Sequence, residues 1–147
     1  MADHPRSCHS YSITQILPLS QERAFAYFAD EKKLQSLTPS WLGFQVLAKS
    51  SPRLRQGTRL DYLMLFRGLP MHWRSRIEDW EPPRRFSYVQ VRGPYAFFKH
   101  EHLFERLGRR TRMTDRVTFE LPWLLRHPFV AHLVKADLKR IFEHRRD

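Results

Sequence analysis

Cysteine is nearly absent. The 147 residues contain one, Cys8, which rules out an internal disulfide framework and any CxxC metal or redox site. Glycine is scarce, with five residues, and no GxGxxG or Walker loop occurs among them. HExxH and GxSxG are also missing. Cys8 lies in a polar N-terminal stretch and makes a poor nucleophile. No run approaches the ~18 consecutive apolar residues of a membrane-spanning helix, and the opening MADHPRSCHS has no signal-peptide apolar core. The expectation is a cytoplasmic chain. Acidic side chains are outnumbered, 15 against 26 Lys and Arg, for a formal charge of +11. That excess raises nucleic acid, anionic membrane and acidic ligands as partners.

The excess is arginine, 20 against 6 lysines. It is scattered from Arg53 to Arg116, alternating with apolar residues, as solvated outer faces of strands would be. A basic binding surface is the alternative reading. No RNP-like aromatic motif or zinc module accompanies it, so nucleic acid is not an expected partner. Transient contact with an anionic membrane remains open.

Hydrophobic residues make up 41% and aromatics 14%, enough for a packed core. A chain of this length reads as one domain, residues 11–147, behind a flexible arm at 1–10. Tyr11 to Leu17 is a short strand stopped by Pro18. Ser20 then caps a helix with Glu22 in its first turn. A second short helix runs from Asp30 to about Thr38, ended by Pro39. Strands follow at Trp41–Ala48, from Thr58 to Phe66, from Met71 to about Glu78, and at Phe86–Val91. Phe97 to Leu121 forms a hairpin turning at Leu107-Gly108-Arg109. After His127-Pro128, the spacing of Phe129, Leu133, Val134, Asp137, Leu138, Ile141 and Phe142 predicts a long amphipathic helix. No helices separate the later strands, so the class is α+β with an antiparallel sheet.

Side chains alternate along a strand, so parity assigns faces. The predicted inward face carries Tyr62 and Met64; Trp73 and Ile77; Gln90; Phe98, His100, His102 and Phe104; and Met113, Asp115 and Phe119. The helix adds Val134 and Leu138, and Trp41 closes one end. An apolar wall with a few polar groups is what a small-molecule site needs. His100 and His102 form an H-x-H pair on one face, opposite Asp115. Three roles are open to them: a metal site, an acid–base pair, or a polar network that orients a ligand. No further His or Cys is placed to complete a ligand set, so neither metal nor cofactor is expected. Asp115 could instead pair with an arginine such as Arg92.

Several phrases resemble one superfamily. They are Leu17-Pro18-Leu19-Ser20 before a helix ending in Phe28-Ala29-Asp30, and then Leu37-Thr38-Pro39-Ser40-Trp41-Leu42. Glu78-Asp79-Trp80-Glu81-Pro82-Pro83-Arg84-Arg85-Phe86 and Arg92-Gly93-Pro94-Tyr95 complete the set. From about Tyr11 to Arg146 the chain resembles the SRPBCC, START-like or helix-grip proteins. It looks most like their small bacterial stand-alone members, ligand-binding or polyketide cyclase/dehydrase-like. The resemblance implies a curved antiparallel sheet wrapped around the long C-terminal helix, with two short helices after the first strand. It also implies a cavity for a lipid, isoprenoid, quinone or polyketide-like molecule. Two activities remain beside simple binding: a cyclase/dehydratase using His100, His102 and Asp115 for proton transfer, and a basic surface protein.

Overall fold

The computed structural model describes residues 8–30, 42–43, 45–66, 69–122 and 128–146. Seven strands and two helices are seen among them. They are β1 Cys8–Leu17, α1 Gln21–Phe28, β2 Gln45–Lys49, β3 Arg59–Phe66, β4 Leu69–Glu81, β5 Arg85–Arg92, β6 Phe97–Leu107, β7 Arg110–Glu120 and α2 Pro128–Arg146. The strands form one sheet in the order β1-β7-β6-β5-β4-β3-β2, with every neighbouring pair antiparallel. The predicted α+β class therefore holds. The second short helix and Trp41 lie outside the described residues.

Consecutive strands β2 to β7 pair as a meander, and β1 closes against β7. Hairpins need only short turns, which is why no helix intervenes. At the β6–β7 turn Gly108 takes φ 61°, a conformation costly for residues with a Cβ. β1 begins three residues before the predicted start. His9 and Ser10, assigned above to the loose arm, pair with Phe119 and Thr118. Leu69 and Pro70, which fall between the strands predicted from Thr58 to Phe66 and from Met71 to about Glu78, belong to β4 and pair with Phe66 and Leu65.

Both helices pack on the same face of the sheet. Ser20 accepts a hydrogen bond from the Arg23 amide at the start of α1, so the helix begins where its cap dictates. Its Phe25 ring meets Trp80, Phe86 and Phe104 edge-on, with centroids 5.1–5.6 Å apart. Ala24, Phe25 and Phe28 thus join a core with Leu60, Ile77, Phe86, Tyr88, Phe104 and Met113. α2 places Val134, Leu138 and Phe142 on Val117, Phe119 and Leu121. Phe104 is opposite Met113, and Phe98 opposite Phe119, so one row of inward side chains on β6 and β7 runs beneath both helices. The stretch between the two cores holds the polar residues.

Register shifts interrupt the β4–β5 ladder between Arg74 and Ser75 and between Ile77 and Trp80. Such bulges bend and twist a sheet locally. On β5, Phe86 and Tyr88 face His102 and His100 of β6 while Ser87 and Val89 face Glu101 and Lys99, so the burial of all four reflects cover on both faces.

Candidate functional site

Strict alternation on β6 and β7 puts His100, His102 and Asp115 together. His102 faces Asp115 across the ladder, and His100 faces Val117 one inward step away. His100 Nε2 is hydrogen-bonded to Asp115 Oδ1 at 2.9 Å. His102 Nδ1 approaches the same oxygen at 3.0 Å. The two imidazole centroids are 4.0 Å apart. His102 is 1% and Asp115 3% exposed, whereas His100 is half-buried. Neighbouring rings fix the arrangement. Phe86 stacks on His102, with centroids 4.4 Å apart and planes 13° from parallel. Phe142 of α2 meets His100 edge-on at 5.3 Å.

A second group lies toward β3 and β4. Trp73 packs against Tyr62 at 6.0 Å, Tyr95 at 5.6 Å and Phe98 at 5.0 Å. Tyr95 also contacts Phe98 and Phe119. Tyr62 and Ser75 share a hydroxyl–hydroxyl hydrogen bond of 2.8 Å. Burial pushes the Tyr62 phenol well above its ordinary pKa, which the Ser75 hydrogen bond only partly offsets. Burial does the same to Tyr95, and the Asp137 carboxylate adds to it. Both phenols are therefore neutral hydrogen-bonding groups at physiological pH. The Trp73 side chain is 5% exposed. Its indole Nε1 is buried with no hydrogen-bond partner among the described residues.

Ile77, Phe104, Met113, Phe119, Val134 and Leu138 are buried, and Met64 and Phe98 are half-buried. Gln90 does something else: its amide donates to the Tyr95 carbonyl at 2.6 Å and accepts from the Tyr95 amide at 3.1 Å. Both ends of that side chain close the β5–β6 turn. Asp115 pairs with histidines rather than with Arg92, which lies opposite Arg74 on β4. Tyr95 was not selected from the sequence. It sits in an irregular turn where parity says nothing, and its position after Gly93-Pro94 was the only signal.

The comparisons agree with this architecture. Residues 9–145 match the model of the family described as polyketide cyclase / dehydrase and lipid transport. The chain belongs to this family. No curated protein matches its sequence. Among solved structures, TTHA0849 from Thermus thermophilus is similar with a TM-score of 0.71 and 20% identity, over 93% of this chain and 94% of that one. A START superfamily protein from Mycobacterium smegmatis gives 0.65 and 16%, over 92% and 93%. The Zhui aromatase/cyclase from Streptomyces sp. R1128 gives 0.64 and 17%, over 78% and 69%. At these identities the likeness is one of fold, so this cyclase/dehydrase-family member must be assigned a function from its own site.

Proposed function

We propose that the chain binds a hydrophobic small molecule carrying a hydrogen-bond acceptor, held between the sheet and α2 against Trp73, Tyr62, Tyr95 and Phe98. The observation that carries this reading is the Trp73 indole N–H, a buried donor with no partner among the described residues. Such a donor costs about 1–3 kcal/mol, and a ligand carbonyl removes the penalty. The surrounding rings supply contact area, and aromatic pairs favour a flat, unsaturated partner. Within the lipid, isoprenoid quinone and polyketide-like classes, this favours a quinone or an aromatic polyketide over a plain acyl chain. Native mass spectrometry of the protein as purified, followed by solvent extraction, tests it. A bound carbonyl-bearing aromatic supports the reading. A pure hydrocarbon chain, or failure of a soluble naphthoquinone to bind the apo protein, overturns it.

A second reading is proton transfer on a polyketide-like ligand. It is favoured by the His100–Asp115 hydrogen bond, since a carboxylate that orients an imidazole prepares it as a general base. Loss of turnover in His100→Gln with ligand binding retained would decide for it.

A further inference from the structure

We propose that His100, His102 and Asp115 form a binding site for a first-row divalent transition-metal ion, independent of the aromatic ligand site. The sequence alone argued against a metal, because no further His or Cys stood nearby. The structure supplies a different reason to consider one. The ligand atoms His100 Nε2, His102 Nδ1 and an Asp115 carboxylate oxygen all lie within 4.8 Å of one another. The two nitrogen–oxygen distances are 2.9 and 3.0 Å. Donors bonded to one ion at ~2.0–2.1 Å and at right angles to each other are about 3 Å apart, so each imidazole nitrogen already stands at that spacing from the carboxylate oxygen.

The donor set also narrows the ion. Two imidazoles and one carboxylate on one side of a site suit iron(II), cobalt(II), nickel(II) or zinc(II), whereas magnesium and calcium prefer oxygen ligands throughout. All three residues come from paired strands, and two of the rings are packed by Phe86 and Phe142. Ligands on rigid elements hold their geometry better than ligands on loops. Entry is from the side of His100, the half-buried member.

The test uses the full chain without a histidine tag, stripped with a chelator and titrated with cobalt(II) chloride. Calorimetry should give one ion per chain, with visible ligand-field bands appearing in step and a rise in Tm. His100→Gln should weaken binding by at least the roughly 10–100-fold that loss of even an outer-shell partner costs. If the variant does not fold, the wild type still decides. Cobalt(II) should shift or broaden the imidazole NMR signals of His100 and His102 first. Saturating one-to-one binding at these two residues supports the site. Absence of one-to-one binding, binding unchanged in folded His100→Gln, or first effects at His9, His72 or His132 overturns it.

Discussion

His102 and Asp115 are register partners in the β6–β7 ladder, with Nδ1 3.0 Å from Oδ1 in a setting almost closed to water. A carboxylate desolvated this far is tolerable only while its partners remain. Removing one member of a buried charged group typically costs about 3–5 kcal/mol. Asp115→Asn keeps the shape and removes the charge, so urea unfolding should show a loss in that range. Glu105→Gln is the control: it breaks an exposed pair with Arg112 at 3.5 Å and should cost less than about 1 kcal/mol. Equal small losses in both variants would mean the buried group contributes no more than a surface pair.

Gly93 is required for space rather than for backbone conformation. A Cβ there would lie 2.6 Å from Gln90 Oε1 and 2.8 Å from its Cδ. Gly93→Ala must therefore push aside the side chain that holds Tyr95, sacrificing two hydrogen bonds, for about 1–3 kcal/mol. In a Gln90→Ala background the obstruction is gone, and Gly93→Ala should cost little more. A thermal-denaturation double-mutant cycle reads the coupling; strict additivity would show that Gln90 is not what Gly93 accommodates.

The strands β4, β6 and β7 were legible because apolar and polar residues alternate along them with few faults. Parity alone then brought His100, His102 and Asp115 to one face. The same rule placed Gln90 inward and failed to say what it binds, because its partner is the backbone of Tyr95, in an irregular turn that parity does not reach. The polar run Cys8-His9-Ser10 carried no strand signal. It pairs because the β7 ladder extends to Glu120 and because the His9 ring packs on Phe119 at 5.3 Å. A spacing rule shows which face a residue takes. It does not show that two imidazoles approach one oxygen, which depends on χ angles set by Phe86 and Phe142.

The helix α1 is anchored chiefly by one ring. Phe25 contacts Trp80, Phe86 and Phe104 and is 6% exposed. Phe25→Ala should cost about 3–5 kcal/mol, the range for truncating a buried aromatic. Phe25→Leu refills much of the volume and should recover more than half. Chemical denaturation of both variants checks the order, and equal losses would point to ring–ring geometry rather than volume.

On the outer face, Asp79 accepts a 2.6 Å hydrogen bond from Ser87 and pairs with Lys99 at 3.2 Å and Arg85 at 3.6 Å. Burial alone would raise its pKa; the Ser87 hydroxyl, Lys99 and Arg85 together more than reverse that and hold it below the ordinary carboxylate value. A depressed carboxylate stabilises the fold fully above its unfolded pKa of about 3.9, and the contribution fades as pH falls through the lower folded value. Stability measured from pH 7 to pH 2 should drop at the acid end, and Asp79→Asn should flatten that part of the profile. An unchanged acid limb in the variant would assign the drop to other groups.

Trp73 offers the most direct test of the ligand reading, because its ring and its N–H can be separated. Trp73→Phe keeps a smaller aromatic face toward Tyr62, Tyr95 and Phe98 and deletes the buried donor left without a partner among the described residues. Without ligand, losing an unmet donor relieves a penalty, so the variant should unfold no earlier than a simple loss of ring area predicts. With a naphthoquinone bound, it forfeits a hydrogen bond worth about 0.5–1.5 kcal/mol, so affinity should fall roughly two- to twelvefold. A saturated hydrocarbon of similar size has no acceptor and should bind both proteins alike. Equal affinity losses for quinone and hydrocarbon would show that Trp73 acts through its surface alone.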